Sequence, residues 1–227
     1  MGDVVDLLDR PVYRFPEADR LLRVKRGTVQ RWVDGYARNG VEYPPVVRET
    51  QTGSPWVTWG EFVEARLLSE FRPQIPMVKM RPMVERLREM LNTRYPLSYA
   101  RPFLTAEGRE LLLAAQAETS TEPGLWVVVS TGQGAIMTAE SLRFTTATLF
   151  ADNTGQATAI RADSGTPEIL LDPQRREGQP TLNGISTSVL AELVAAGEPI
   201  EFVADTYGFT EHEVEQAVSF EASRRAA

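Results

Sequence analysis

The side chains best suited to chemistry in this sequence are polar groups on one face of a short predicted helix, at Arg26, Thr28, Gln30 and Arg31. The other face of that helix is apolar at helical spacing, with Val29, Trp32, Val33 and Tyr36. Arginine and glutamine hydrogen-bond to base edges in the DNA major groove, and arginine also binds phosphate. The pattern therefore indicates a helix that reads DNA. The alternative is a small helical hairpin with an ordinary solvated face.

A second short helix precedes this one, so residues 15–36 predict a helix–turn–helix. Pro16 suits the first position of a helix, where the missing N–H is no loss. Glu17 and Asp19 place negative charge near the positive end of the helix dipole. Three residues supply the apolar stripe of this first helix, namely Ala18, Leu21 and Leu22. We expect the second helix to span residues 26–36.

Two β-rich runs follow, at residues 46–50 and 56–58, around a loop that contains Gly53. They predict a two-stranded wing beside the recognition helix. In that position Arg48, Thr52 and Ser54 would reach phosphates next to the groove. Besides Arg48, we expect Arg14, Arg23 and Lys25 to contact the DNA backbone.

The two ends of the chain carry opposite charge. Residues 10–40 contain eight basic and three acidic side chains, a net charge of +5, although the whole chain carries −7. Residues 172–227 contain four arginines and ten acidic side chains, a net charge of −6. Such a split suggests different partners for the two ends.

The middle of the chain predicts two helices and then strands. Thr58 and Glu61 form a capping box at the start of the first helix. The second, over residues 78–94, has a methionine-rich apolar face, and its other face carries Arg81, Arg86, Arg88 and Arg94. Period-two and β-branched patterns then predict strands at residues 109–116, 125–131, 142–150, 156–162 and 168–171. We expect a mostly antiparallel sheet that could serve in dimerisation.

The C-terminal part predicts three helices, over residues 187–196, 199–207 and 210–224. Gly197 and Gly208 end the first two, and Thr210 with Glu213 forms a capping box at the third. We expect Val189, Leu190, Leu193 and Val194 to be buried in the first of these helices. The helix–turn–helix shape returns here without positive charge. Because phosphate neutralisation dominates DNA affinity, a protein-binding or structural role is the better expectation.

The side chains that most enzymes need are scarce. The chain has no cysteine, and its only histidine, His212, lies in the third C-terminal helix, where we expect it to be exposed. No acidic cluster has the spacing of metal ligands, so we expect no catalytic residues, metal or cofactor. No apolar run approaches the length of a membrane span. Together with the acidic N-terminus, this favours a cytoplasmic protein.

Two segments resemble known families. The sequences FPEADRLLRVKRGTVQRW and TWGEFVEARLLSEFR, within residues 10–95, resemble the MerR-like winged-helix class. Lys25 departs from that class, which usually has a side-chain cap there. Residues 171–222 resemble domain of unknown function 433 through D-P, G-x-P, A-E-L-V-x-A-G-E and Y-G-x-T blocks in order. A further departure is Ile185-Ser-Thr-Ser, where that family more often has T-R-I-P.

Taken together, the chain resembles VapB-type antitoxins of type II toxin–antitoxin systems. The resemblance implies a homodimer that neutralises a PIN-like ribonuclease toxin and represses the shared operon by binding operator DNA. First candidates for contacting the acidic cleft of such a toxin are Arg175 and Arg176, and second candidates are Arg224 and Arg225. The acidic helices could instead cover a basic rim of the toxin, and each arginine pair could equally be plain solvated charge.

We therefore predict an α+β fold with a MerR-like winged helix–turn–helix over residues 1–98, a β-rich middle over 99–171 and a three-helix module over 172–227. One alternative is a ligand-responsive MerR-like regulator without a toxin, which would have an apolar cavity in residues 100–170. Another is a scaffold whose basic end contacts an acidic protein.

Overall fold

A computed structural model describes residues 6–71, 77–119, 127–131, 134–163 and 166–226. The chain divides into two compact units, Met1–Thr158 and Ala159–Ala227. Helices alternate with antiparallel strand pairs, so the predicted α+β class is confirmed. The boundaries predicted at residues 98 and 171 stay a prediction.

The first unit begins with a strand and two short helices. Strand β1 (Pro11–Arg14) leads directly into α1 (Phe15–Leu21), with Pro16 in its first turn, and α2 (Thr28–Val33) follows a tight turn. Both helices were predicted, but Tyr36 does not belong to the second. Helix α2 ends at Val33 because Gly35 adopts a positive φ of 71°, a conformation that side-chain-bearing residues avoid.

The hairpin after α2 differs from the predicted wing. Strands β2 (Tyr36–Arg38) and β3 (Val41–Tyr43) pair across a turn at Asn39 and Gly40, both with positive φ. An Asn-Gly pair is the strongest short sequence signal for a hairpin. The β2–β3 hairpin was nevertheless not predicted.

The predicted strand at residues 46–50 is wrong. The backbone N–H groups of Val46 and Val47 both donate to the Trp32 carbonyl, at 2.8 and 3.0 Å, so they are bound to the end of α2. Strand β4 (Trp56–Thr58), which was predicted, pairs instead with β1, and Arg14 lies opposite Trp56. The two-stranded element that follows α2 is therefore β2–β3.

Helices α3 (Trp59–Phe71) and α4 (Met77–Leu91) form the core of the first unit. Trp59 and Phe62, two aromatic residues of α3, are buried there. The capping box at α3 is confirmed. The Thr58 N–H donates to the Glu61 carboxylate at 2.9 Å, and the Glu61 N–H donates to the Thr58 hydroxyl at 3.3 Å. Tyr95 and the 3-10 turn Pro96–Ser98 pack below α3.

Two predicted strands of the middle region are wrong. Residues 109–116 lie in α6 (Ala106–Thr119), which follows the single turn α5 (Arg101–Leu104). Residues 142–147 lie in α7 (Ala139–Ala147), and only β7 (Thr148–Phe150) is extended. Leucine, alanine, glutamate and arginine favour helix. The short apolar runs in these two segments fit the helical period as well as the strand period, so periodicity alone did not identify the helices.

Side chains of α6 form hydrogen bonds with backbone groups of the hairpin made by β5 (Val128–Thr131) and β6 (Gly134–Met137). The Gln116 amide oxygen accepts the Val128 N–H at 3.2 Å, and its amide nitrogen donates to the Val128 carbonyl at 2.9 Å. Glu110 and Arg109 bind the Ala135 N–H and carbonyl in the same way. These groups are therefore unavailable for pairing with a second chain. The predicted dimerisation role stays a prediction.

The remaining predicted strands are present. Strand β8 (Ala157–Asp163) continues from the first unit into the second. There it pairs antiparallel with β9 (Thr166–Leu171), which pairs with β10 (Thr181–Leu182), and β11 (Ile185–Ser186) is last. Strand β5 lies within the strand predicted at residues 125–131, although Leu125 and Trp126 are outside the described residues.

The three C-terminal helices are α8 (Thr187–Ala195), α9 (Ile200–Tyr207) and α10 (Glu211–Ala226), as predicted. Gly197 and Gly208 take positive φ after the first two. The predicted capping box is present. The Thr210 N–H donates to the Glu213 carboxylate at 2.8 Å, and the Glu213 N–H donates to the Thr210 hydroxyl. Six buried side chains form the core of this unit, namely Leu182, Leu190, Val203, Ala204, Val214 and Ala217.

One burial prediction in this unit is wrong. Val189 is 40% exposed, because α8 packs on the core through Leu190 and Ala191. Across the described residues, the helices are all too short or too polar to cross a lipid bilayer.

Candidate nucleic-acid interface

Helix α2 is held at its N-terminus by a carboxylate from α1. The buried side chain of Asp19 accepts the Gly27 N–H at 2.6 Å and the Val29 N–H at 2.8 Å. These are N–H groups at the start of α2 that lack partners within the helix. From the sequence, Asp19 was predicted to interact with the dipole of α1, and Lys25 cannot cap α2. The cap comes instead from the preceding helix.

The polar residues predicted to read DNA separate into two groups. Gln30 and Arg31 of α2 are exposed, and Arg26 is exposed in the turn before α2. Thr28 is only 3% exposed, and its hydroxyl accepts a long hydrogen bond from the Arg31 guanidinium at 3.4 Å. The predicted base contact by Thr28 is therefore corrected, because the first residue of α2 faces the protein.

Arg48 is also corrected. Its side chain is buried, and its guanidinium binds two carboxylates: Nε lies 2.7 Å from Glu61 Oε1, and Nη1 lies 2.7 Å from Asp34 Oδ1. It also donates to the Thr52 hydroxyl at 2.6 Å and the Trp56 carbonyl at 2.6 Å. A guanidinium has five N–H donors, and these contacts leave Arg48 unable to reach a phosphate. No sequence pattern separated it from the exposed arginines.

The cluster of Arg48, Asp34 and Glu61 joins the end of α2 to α3. Asp34 follows α2 directly, and Glu61 lies in the first turn of α3. Burial raises the pKa of Asp34, but the Thr52 N–H and the Arg48 guanidinium outweigh it and hold the pKa below its ordinary value. The Thr52 and Gly53 N–H groups both donate to the Asp34 carboxylate. The loop of residues 49–55 is therefore held at the end of α2 by hydrogen bonds to Asp34.

Eight basic side chains of residues 10–40 are exposed. They are Arg10, Arg14, Arg20, Arg23, Lys25, Arg26, Arg31 and Arg38, and we refer to them as the basic surface. Asp19 and Asp34, two of the three acidic residues in this range, are buried. The solvent-facing side of this segment is therefore more positive than its net charge of +5 indicates.

Exposed aromatic rings accompany these basic groups. The Arg14 guanidinium carbon lies 4.9 Å from the centre of the Trp56 ring, and Trp56 is 42% exposed. On the β2–β3 hairpin, Tyr36 and Tyr43 stack with ring centres 4.6 Å apart, and Arg38 ends strand β2. Neither Trp56 nor Arg38 was predicted as a site residue. A cross-strand Arg–Trp pair is visible only once the partner of β4 is known.

The arginines predicted to contact a toxin lie in the second unit. Arg175 and Arg176 are exposed, and Arg175 lies 3.4 Å from Asp172. Arg224 is ion-paired at 3.0 Å with Glu221, a buried carboxylate that also accepts the Thr187 hydroxyl at 2.6 Å. Arg224 is therefore engaged in an ion pair within the second unit. Arg175 and Arg176 are exposed and accessible to a partner. The side chain of Arg225 lies outside what the structure describes.

One buried carboxyl stands out in the first unit. Glu64 of α3 accepts the Leu97 N–H at 3.0 Å through Oε1, and Oε2 has no hydrogen-bond partner among the residues that the structure describes. Burial raises the pKa of Glu64 to about 8, against the opposing charge of Arg88. Arg88, predicted on the polar face of α4, is itself buried and donates to the carbonyls of Val47 and Arg94.

Acidic and histidine side chains do not gather into a metal site within the described ranges, where no three of them are placed to hold an ion. His212 is exposed on α10, as predicted. The expectation that the chain has no catalytic residues stays a prediction.

Comparison with known proteins places the chain among mycobacterial relatives. No family model matches it. It is 38% identical over 230 residues to "Uncharacterized protein Rv2308" of Mycobacterium tuberculosis, covering 99% of this chain and 95% of the relative. It is 31% identical over 231 residues to "Putative antitoxin VapB45" of the same organism, covering 92% and 93% of the two chains.

A solved structure has the same fold. The crystal structure of Rv2018 from Mycobacterium tuberculosis matches with a TM-score of 0.75 and 25% identity, over 94% of this chain and 100% of that one. The chain therefore belongs to the protein family that includes Rv2308 and the protein named "Putative antitoxin VapB45" of Mycobacterium tuberculosis.

Proposed function

We propose that this protein is a cytoplasmic VapB-type antitoxin. It neutralises a PIN-like ribonuclease toxin through its second unit and, as a homodimer, represses its own operon through its first unit. The relative named as an antitoxin supports the first part, because the identity extends along nearly the whole of both chains. The observation that carries the DNA-binding part is the presentation of α2: Asp19 caps it from beneath, and Gln30 and Arg31 face solvent.

The contacts to DNA divide by chemistry. Gln30 and Arg31, with Arg26 in the adjoining turn, are the candidates for base edges or the nearest phosphates. Arg14, Arg23 and Lys25 are the candidates for phosphate contacts. Arg38 takes the place of Arg48, because it lies on the exposed β2–β3 hairpin, which we propose as the wing of a MerR-like helix–turn–helix. A dimer would bind an inverted repeat with a half-site spacing that matches its two α2 helices.

The contacts to the toxin need a group that fills an acidic nuclease cleft. Arg175 and Arg176 are the accessible candidates in the second unit. The backbone there is unusual, since Arg176 and Glu177 adopt φ values of 47° and 55° and Gly178 follows at 80°. Left-handed conformations are unfavourable for residues with side chains. The surrounding fold therefore imposes this backbone conformation at Arg176.

A mobility-shift titration on the DNA upstream of the gene tests the DNA-binding part. We expect wild-type binding to weaken steeply with salt, and Arg26→Ala with Arg31→Ala to lose at least about tenfold in affinity. The matched control is Arg86→Ala with Arg143→Ala, which removes the same charge from exposed arginines elsewhere in the first unit. Equal losses in both double variants would leave only a charge effect and would refute α2 as the reader of DNA.

Co-expression tests the antitoxin part. Expression of an adjacent PIN-like nuclease gene should arrest growth, and the wild-type chain should restore it. Arg175→Ala with Arg176→Ala should restore growth less well than Arg161→Ala, a single exchange at another arginine of the second unit. If no nuclease is encoded next to this gene, the antitoxin proposal loses its partner.

The alternative of a ligand-responsive regulator has less support. It requires an apolar cavity in residues 100–170. A cavity of about 510 Å³ lies at the C-terminal end of α4, where Glu49, Glu85, Arg88, Glu89, Asn92, Thr93 and Arg94 line it. Most of these residues are charged, which does not suit a small apolar effector.

A further inference from the structure

Helix α9 presents an aromatic ring to solvent. Phe202 is 56% exposed, the highest value for any large apolar side chain in the described parts of the chain. It lies on the side of α9 opposite Val203 and Ala204, which are buried in the core of the second unit. An exposed phenylalanine alone is ordinary, so its surroundings decide whether it marks a binding surface.

The helix that carries Phe202 is firmly held. Ile200 and Tyr207 pack against the core from the two ends of α9, and Gly208 ends the helix with a φ of 72°. The Thr206 hydroxyl donates to the Phe202 carbonyl at 2.7 Å. A ring on such a helix loses little conformational entropy on binding, and this favours its use as an anchor.

Carboxylates lie beside the ring, on one side of it along the surface of α9. Glu201 and Asp205 are exposed on the same side of α9, within about 100° of Phe202 by helical geometry, and Glu198 is exposed just before the helix. Residues 177–223 contain no lysine or arginine, so no cation of this segment offsets them. We call Glu198, Glu201, Phe202 and Asp205 the acidic aromatic face.

We propose that the acidic aromatic face docks on the RNA-binding rim of the nuclease that this antitoxin neutralises. This inference rests on the proposed function. A ribonuclease must neutralise the phosphates of its substrate, so its rim is rich in lysine and arginine. Carboxylates flanking a large aromatic anchor complement such a surface in charge, and the ring can enter an apolar gap between its cations or stack against an arginine.

The consequence is competition. A chain bound to the rim through α9 excludes RNA from the path to the cleft, whatever group enters the cleft itself. The face therefore contributes to inhibition by covering the substrate path, while Arg175 and Arg176 remain the candidates for the cleft. The association should also weaken with salt, because it joins opposite charges.

Titration calorimetry with the full chain and the purified nuclease tests the inference. We expect Phe202→Ala to weaken binding about 10- to 100-fold, as for a buried aromatic anchor. Val189→Ala is the matched control, because Val189 is the other exposed large apolar side chain of the second unit, and it should change the affinity less than about twofold. Glu201→Lys with Asp205→Lys should weaken binding more than Glu211→Lys with Glu215→Lys on α10, and should flatten the salt dependence.

Urea unfolding provides the fold control, since the exchange of an exposed side chain in Phe202→Ala should leave the free energy of unfolding close to that of the wild-type chain. Wild-type affinity for the nuclease in both the Phe202 and the α9 charge variants would overturn this inference and leave the antitoxin function intact. Failure of the wild-type chain to bind the nuclease or to stop its RNA cleavage would overturn both. RNA that fails to compete with the chain for the nuclease would also refute the docking site.

Discussion

The carboxylate of Asp19 accepts the backbone N–H of Val29 at 2.8 Å, so a side chain of α1 caps the helix that presents Gln30 and Arg31. This contact couples the position of α2 to α1. An N-terminal cap usually contributes about 0.5–2 kcal/mol, and a buried one leaves two N–H groups without partners when it is removed.

We expect Asp19→Ala to lower the free energy of unfolding by about 1–3 kcal/mol and to weaken operator binding, because α2 loses its anchor. Urea unfolding and mobility shift are the two measurements. Asp19→Asn, which keeps one acceptor oxygen, should lie between the alanine variant and the wild type. An alanine variant as stable as the wild type would show that the cap contributes nothing.

A second prediction concerns the buried cluster of Arg48. Arg48→Ala leaves Asp34 and Glu61 buried without their cation, so we expect a loss of roughly 3–5 kcal/mol in unfolding free energy. Arg48→Lys should not restore it, because an ammonium cannot bind both carboxylates and the Trp56 carbonyl in the same geometry. Arg38→Ala is the exposed control and should change stability by less than about 0.5 kcal/mol. Comparable stability of the Arg48 and Arg38 variants would contradict the cluster.

Much of the local structure could be predicted from the sequence where local chemistry decides it. The capping boxes at Thr58 and Thr210 and the glycine stops at Gly197 and Gly208 depend on neighbouring residues alone, and all are present. The strand predicted at residues 109–116 is wrong, because a short apolar run fits the period of a helix as well as that of a strand. In the folded chain these residues pack as part of α6.

The functional surface was harder to predict because burial depends on contacts distant in sequence. Arg48 and Arg38 are alike in the sequence, yet one is enclosed by Asp34 and Glu61 and the other lies on an open hairpin. The cap from Asp19 also depends on how α1 meets α2, a relationship that spacing alone does not contain. Thr28 had helical spacing with Arg31 but faces inward.

A third prediction is a pH dependence of stability from Glu64. Burial raises its pKa to about 8 from an ordinary value of 4.5, so the folded chain holds this proton more tightly than the unfolded chain. The stabilisation is complete below pH 4.5 and is lost as the pH rises to about 8. The full effect is on the order of several kcal/mol.

The measurement is urea unfolding of the wild type and Glu64→Gln across that range. The difference in unfolding free energy between them should shift in favour of Glu64→Gln as the pH rises from 5 to 8 and level off above it. Glu85→Gln, at an exposed carboxylate of α4, is the control. A constant difference across the range would show that Glu64 is ionised in the folded chain.

The last prediction assigns Trp56 a positioning role for Arg14. The two residues lie opposite each other on β4 and β1, and the guanidinium stacks 4.9 Å from the ring centre. The contact limits the rotamers of Arg14, while the N–H donors at the edge of its guanidinium can still bind phosphate. We expect Arg14→Ala to weaken operator binding and to reduce the slope of log affinity against log salt by about one. Trp56→Ala should weaken binding about two- to fivefold at low salt, an effect near the size of an exposed cation–π contact.

A double-mutant cycle separates positioning from a direct contact by the ring. If Trp56 acts through Arg14, Trp56→Ala costs little further affinity in the Arg14→Ala background. Trp56→Phe should keep most of the wild-type affinity, because a phenyl ring still stacks with the guanidinium. Equal costs of Trp56→Ala in both backgrounds would mean that the indole meets DNA independently, and unfolding measurements on each variant exclude a loss through the β1–β4 pair.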